Sequence, residues 1–207
     1  MVLDVDSTLV QDEVIDLLAA RAGSGAAVAR ITARAMAGQL DFVQSLRSRV
    51  ATLAGVSTTV FAEVVRQVTV TPGAAELVSA VQSAGGQVAA VSGGFHEVLD
   101  PIAAQLGVDR WSANRLAVDE QGRLTGALAG PVVDAAAKSR ALQRWAGEFG
   151  VPLRCTVAVG DGANDLEMMA VAGLSVAFQA KASVRAAAHL VLDRRDLAEL
   201  LPLLGLR

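Results

Sequence analysis

The chain has no tyrosine, one cysteine, two histidines and five prolines among its 207 residues. A single cysteine, Cys155, has no partner for an internal disulfide and fits a reducing, cytoplasmic setting. His96 and His189 are too few for a histidine-rich metal centre, so any metal must be held by oxygen. Concentrated positive charge is missing too. The 18 Lys and Arg residues are scattered and outnumbered by 21 Asp and Glu, for a net charge of −3. Phosphate-backbone binding needs a basic face, so nucleic acid is not expected as a partner.

A long apolar run is also lacking, although the mean hydropathy is +0.44. The longest relevant uncharged stretch, Leu77–Phe95, is interrupted by Gln82, Ser83, Gly85, Gly86, Gln87 and Ser92. It reads as helix, turn and strand rather than one membrane span. No secretory signal is visible, because Asp4 and Asp6 stand where an apolar core would be needed. A soluble protein is expected.

What is present is an alternation of short apolar runs with longer helical periodicities. Val2–Val5, Gln87–Ser92, Thr156–Gly160 and Leu174–Phe178 read as strands. Gly73–Ala84, His96–Leu106, Ala135–Phe149 and Leu166–Ala172 read as helices. Apolar strands separated by helices predict an α/β fold, a doubly wound, Rossmann-like parallel sheet. Residues 111–130 differ: "RLAVDEQGRLTGAL" alternates about an Asp-Glu-Gln-Gly turn and predicts a hairpin. From Gln11 to Gln67 no strand is legible. Breaks at Gly23-Ser24-Gly25, Gly38 and Gly55 divide this stretch into about four helices. The expected organisation is a catalytic core of residues 1–10 and 70–207, with a small all-helical cap, residues 11–69, inserted after the first strand.

Ligands of open α/β sheets bind beyond the carboxyl ends of the strands. Strand one ends in "Val-Leu-Asp-Val-Asp-Ser-Thr", where a period of two puts Asp4 and Asp6 on one side. Such a pair either caps the following turn or holds a cation that relieves its repulsion. The strand ending in "Val-Gly-Asp-Gly-Ala-Asn-Asp" gathers Asp161, Asn164 and Asp165 in a glycine-rich loop. That cluster is either an ordinary turn or a set of hard oxygen ligands for Mg²⁺. A second acidic cluster at another strand end favours the metal. Ser92-Gly93-Gly94-Phe95 offers a hydroxyl and free N–H groups before a helix, a phosphate cradle or a plain N-cap. Lys138, near the start of its helix, gains interest only from this company.

In this order the four pieces resemble the haloacid dehalogenase-like phosphatases: Asp-x-Asp, Ser, Lys, then Gly-Asp-x-x-x-Asp. The phrases "DVDSTLV", "DFVQSLRSRV", "AVSGGF", "ANRLAV", "LTGAL" and "AVGDGANDLEMM" resemble the phosphoserine phosphatase family along nearly the whole chain. The resemblance implies a Mg²⁺-dependent phosphomonoesterase that hydrolyses O-phospho-L-serine, the last step of serine biosynthesis. Asp4 would be the nucleophile and Asp6 the general acid and base. The metal would be held by Asp4, the Asp6 main-chain carbonyl and Asp161, with Asp165 in support. Ser92, Gly93, Lys138 and Asn164 would hold the phosphoryl group. Glu13 would meet the substrate ammonium, and Met36 and Phe42 would enclose the substrate.

The cap adds a signal independent of the family. On a helix containing Phe42–Leu53, Phe42, Leu46, Arg49 and Leu53 share one face, whereas Arg47 points away. An arginine within an apolar stripe needs an acidic partner, either inside the cap or on the substrate. The resemblance favours the substrate carboxylate. Other readings stay open: a related phosphatase or phosphotransferase for another small metabolite, or a non-enzymatic phospho-acceptor domain. The latter is opposed by the cap and by Asp6. Only Met1, Val2 and Leu3 precede Asp4, shorter than the family's usual first strand, so the chain either stands alone or truly begins upstream. Nothing in the pattern speaks to oligomeric state.

Overall fold

The computed structural model describes residues 1–206. It opens with β1 (Val2–Leu3), followed by four helices, α1 (Val14–Arg21), α2 (Gly25–Met36), α3 (Phe42–Ala51) and α4 (Val60–Val65). Next come α5 (Ala74–Ser83), β2 (Ala89–Phe95) and α6 (His96–Leu106), then β3 (Arg110–Val118) and β4 (Leu124–Ala129). The remainder is α7 (Ala135–Glu148), β5 (Val157–Gly160), α8 (Leu166–Val171), β6 (Leu174–Phe178), α9 (Ala182–Ala187), β7 (Leu190–Leu192) and α10 (Leu200–Leu203). The seven strands form one sheet in the order β4-β3-β2-β1-β5-β6-β7. All neighbours are parallel except the β3–β4 hairpin. This is the expected doubly wound α/β architecture with its hairpin edge.

The strands are apolar throughout because both faces are covered. Leu3, Ala90, Val159, Val176 and Phe178 belong to one core. Their chain neighbours Val2, Ala89, Val91, Ala158 and Ala177 belong to the other. The first core is filled from α5 and α6 by Leu77, Val78, Val98 and Leu99. The second is filled from α7, α8 and α9 by Leu142, Trp145, Met168 and Val184. Burial on both faces therefore follows from the period of two.

The first core continues into the four helices after β1 through Leu18, Val28, Leu46, Val50 and Val64. A two-bond backbone clamp ties the same block to the hairpin. Gly55 N–H donates to Leu124 O at 2.7 Å, and Leu124 N–H donates to Val56 O at 2.8 Å. A capping box sets the start of α3: Gln44 N–H donates to Asp41 Oδ1 at 2.8 Å, and Asp41 N–H donates to Gln44 Oε1 at 3.1 Å. Leu77–Phe95 is α5, a turn and β2. Among the described residues, no helix is long and apolar enough to cross a membrane.

Two strand ends differ from the sequence reading. β1 stops at Leu3, so Asp6 is not on a strand and the period of two does not align it with Asp4. Asp4 stays extended, bonded through its N–H to Val159 O at 2.9 Å. Val5–Leu9 then form a single wide turn with Ser7 at φ 60°. Ser92 is likewise not a helix cap: β2 runs through Gly93 and Gly94 to Phe95 before α6 begins. The registry with β3 shifts between Val91 and Phe95, which lets the glycine pair bulge at the sheet's end.

Gly73, before α5, has φ 76°, and a Cβ there would lie 2.2 Å from Ala198 N and 2.3 Å from Asp196 Oδ1. Neither backbone nor capping carboxylate can yield easily. A residue forced into positive φ loses about 1–3 kcal/mol, and the clash adds to it. Gly73→Ala should lose at least about 2 kcal/mol, lowering the melting temperature by roughly 4–8 °C for a chain of this size. A thermal melt followed by circular dichroism measures it; an unchanged midpoint would show that the C-terminal segment moves aside freely.

Candidate active site

The carboxyl ends of β1, β2 and β5 face the helical block across a cleft of about 750 Å³. Asp4, Asp6, Gly93, Asp161 and Asn164 line it from the sheet side, together with Glu13. Thr32, Ala35 and Met36 line it from α2, and Phe42, Ser45, Leu46 and Arg49 from α3. Their spacings of three, four and seven residues each put one helical face over the cleft. Arg47 is exposed outside it, as the periodicity required. Lys138, Ser92 and Asp165 do not line the cleft. They are buried under its floor, at 0%, 1% and 0% exposure.

The floor is an ion cluster. Lys138 Nζ donates to Asp4 Oδ1 and, at 2.7 Å, to Asp165 Oδ1. Asp165 Oδ2 accepts from the N–H groups of Gly162 at 3.0 Å and Asp161 at 3.2 Å. Asp4, Asp161 and Asp165 can each offer an oxygen lying within 4.8 Å of the others. One ammonium thus faces three carboxylates. Burial pulls the Lys138 pKa down, but Asp4 and Asp165 outweigh it and keep the lysine charged. The carboxylates are left short of positive charge. Burial, then repulsion from Asp165, pushes the Asp4 carboxyl well up and that of Asp161 up to about 6. Hard oxygen donors with uncompensated negative charge suit a divalent cation. Asp165 has both oxygens committed to protein donors, so Asp4 and Asp161 are the carboxylates free to bind one.

Asp6 is held from two sides. Its Oδ1 accepts Val14 N–H at 2.8 Å, and its Oδ2 accepts the Ser92 hydroxyl at 2.9 Å. Burial raises its pKa against these bonds. The Ser92 oxygen in turn accepts Gly94 N–H at 2.7 Å, so in this structure the hydroxyl serves Asp6 and the glycine loop. Gly93 carries the Phe42 ring on its surface, where a Cβ would come within 2.7 Å of Phe42 Cζ. That contact joins the helical block to the sheet across the cleft. Phe42 also packs against the main core, whereas Met36 is 74% exposed at the cleft and packs in no core.

Glu13 is exposed, but its surface opens into the cleft. Partial desolvation by the groups packed around its carboxyl, then repulsion from Asp6, raises its pKa to about 7 although Ser7 Oγ donates to it at 2.9 Å. Arg49 forms no ion pair among the described residues, and its Nε is buried without a partner. The acid that an arginine in an apolar stripe demands is not inside the helical block.

Sequence reading missed three residues here. Asn114 Nδ2 donates to Gly93 O at 2.8 Å and its Oδ1 accepts Val133 N–H at 2.8 Å, fixing the glycine loop. An asparagine on an apolar hairpin strand was the available signal. Lys181 lines the cleft and its N–H donates to Asp161 O at 3.3 Å, but a lone lysine carries no pattern. Thr32 lines the cleft, and its Oγ1 is enclosed by protein without a partner.

Lys138 sits in the first turn of α7, where the helix dipole disfavours a cation. Only its two carboxylates compensate. Lys138→Met should lose about 3–5 kcal/mol in urea unfolding, because it strands buried charge. A loss below about 1 kcal/mol would show that the carboxylates find relief without the lysine.

The model of the haloacid dehalogenase-like hydrolases matches residues 1–170. The chain is 52% identical to the phosphoserine phosphatase of Streptomyces coelicolor over its whole length, spanning half of that protein. It is 48% identical to the phosphoserine phosphatase of Lactococcus lactis, covering 97% of this chain and 93% of the relative. Among solved structures, a phospho-aspartyl intermediate analogue of phosphoserine phosphatase superimposes with a TM-score of 0.91 at 42% identity, covering 98% and 96% of the two chains. A substrate-bound phosphoserine phosphatase complex matches with the same values. With the acidic strand ends, the buried lysine and the helical cover already in place, this chain belongs to the phosphoserine phosphatase family of haloacid dehalogenase-like hydrolases.

Proposed function

We propose that this chain hydrolyses O-phospho-L-serine to serine and phosphate through an aspartyl-phosphate on Asp4. The observation that carries the reading is the cleft itself. It combines a buried, lysine-bound carboxylate for phosphorus with an unpaired arginine and a glutamate for the two charged groups of an amino acid.

Lys138 engages Oδ1 of Asp4, leaving Oδ2 as the attacking oxygen. Attack forms the Asp4–phosphorus bond as the bond from phosphorus to the seryl oxygen breaks. Asp6, its carboxyl raised by burial, gives its proton to that oxygen and serine leaves. Asp6 then takes a proton from water, whose oxygen attacks phosphorus and releases phosphate and Asp4. Gly93 N–H, Asn164 and Lys138 hold the phosphoryl oxygens, and Ser92 joins them by exchanging Asp6 for phosphate as its acceptor. Mg²⁺, held by Asp4, the Asp6 carbonyl and Asp161, would neutralise phosphate charge when bound. Residues 11–69 form the cap: Arg49 takes the substrate carboxylate, Glu13 the ammonium, and Phe42 and Met36 close over the carbon skeleton. The exposed, unpaired Cys155 suits a cytoplasmic enzyme.

The testing experiment is phosphate release, with and without Mg²⁺, across phosphoserine, phosphothreonine, sugar phosphates and nucleotides. Phosphoserine should be turned over best, and Asp4→Asn should remove turnover while leaving the fold intact. A different preferred phosphate would redirect the reading to another metabolite; near-normal release by a folded Asp4→Asn protein would rule out the nucleophile.

A pH profile tests Glu13. Only its ionised form attracts an ammonium, and its pKa of about 7 lies above the ordinary value of 4.5. kcat/KM for phosphoserine should therefore rise with pH through about 7, above the limb from the substrate phosphate near 6. Glu13→Gln should lower kcat/KM and lose the limb near 7 while keeping the other. Persistence of both limbs would assign the upper one elsewhere.

A further inference from the structure

Two polar atoms in the cleft wall are buried without partners: Arg49 Nε on α3 and Thr32 Oγ1 on α2. A helical threonine ordinarily satisfies its hydroxyl on the carbonyl three or four residues back. Thr32 does not, although Val28 and Ala29 precede it on the same helix. An unsatisfied buried polar group in a native fold calls for a ligand or water. Thr32 shares its face with Ala35 and Met36, all lining the cleft, and α2 packs directly against α3. Two orphaned donors thus belong to cleft-lining residues on adjoining helices, both atoms enclosed by protein, and a change of rotamer would bring the threonine hydroxyl to the cavity.

We infer that Thr32 is a specificity-determining residue, whose hydroxyl donates a second hydrogen bond to the substrate carboxylate that Arg49 holds. This rests on the phosphoserine reading and adds to it. Arg49 supplies only N–H donors, and a carboxylate has lone pairs enough for both side chains. A second donor in the same cleft wall also rewards a carboxylate over a neutral group, because an uncharged substituent would leave both donors buried and unpaired.

The test compares phosphoserine with phosphoethanolamine, which keeps the phosphate and ammonium but lacks the carboxylate. Thr32→Val preserves shape and removes the hydroxyl; Thr32→Ser keeps it. In Thr32→Val the ratio of kcat/KM for phosphoserine to that for phosphoethanolamine should fall about tenfold, as for a hydrogen bond to a charged group. Thr32→Ser should restore most of the ratio. In an Arg49→Ala background, Thr32→Val should change the ratio much less, because both side chains serve one acceptor. A melting curve accompanies each variant; if Thr32→Val fails to fold, Thr32→Ala and Thr32→Ser carry the same comparison. Should wild type not prefer phosphoserine over phosphoethanolamine, the substrate reading falls and this inference with it. A wild-type preference that Thr32→Val leaves unchanged overturns the inference alone and assigns water to the hydroxyl. A fall that Thr32→Ser does not repair overturns it too, and makes Thr32 a packing residue.

Discussion

The site depends on one buried ammonium. Lys138 is fully enclosed, sits where the α7 dipole opposes it, and is held only by Asp4 and Asp165. Placing a charge there is costly, and the fold meets that cost by arranging carboxylates from two different strand ends around it. Asp165 is the hinge of this arrangement. One of its oxygens holds the lysine, and the other gathers the N–H groups of Asp161 and Gly162, which shapes the loop after β5. The lysine thereby joins α7, β1 and β5 into one electrostatic unit.

That unit is deliberately unbalanced. Three acids surround one cation, so the carboxyl pKa values rise, and the site is primed for added positive charge. The same lack of balance reappears in the opposite wall with reversed sign. Arg49 brings a guanidinium into an apolar stripe without an acid to meet it. An acidic group on a ligand would meet Arg49, and a cation at the floor would relieve the carboxylates. The cleft therefore reads as complementary halves, one set by the sheet and one by the helices over it.

The helices are not loosely attached. They share the first core with α5 and α6, and the backbone clamp at Leu124 and the Phe42–Gly93 contact fix their height above the sheet. Small shifts of α3 would move Phe42 and Arg49 together, because they lie on one helical face. The Phe42 contact with Gly93 and the position of Arg49 in the cleft wall are thus coupled through a single element.

Much of this was legible in the chain. Short, uninterrupted apolar runs gave strands buried on both faces, the period near 3.6 put Arg49 inward and Arg47 outward, and the glycine breaks gave about four helices. Local periodicity carries that information because it is set by backbone geometry alone. The family resemblance added the proposed roles of Asp4, Asp6, Asp161 and Lys138, which no single stretch contains. What the sequence could not give were relations among distant residues. β1 ends at Leu3 because the chain turns under the helices, so Asp6 is aimed by Val14 and Ser92 and not by strand alternation. The depth of Lys138, the grip of Asn114 on the Gly93 carbonyl, and the orphaned hydroxyl of Thr32 all depend on which partners arrive from elsewhere. Sequence by itself determined which faces are apolar and which residue types gather at strand ends; tertiary structure decided who is paired and who is left without a partner, because pairing is a property of packed neighbours and not of spacing.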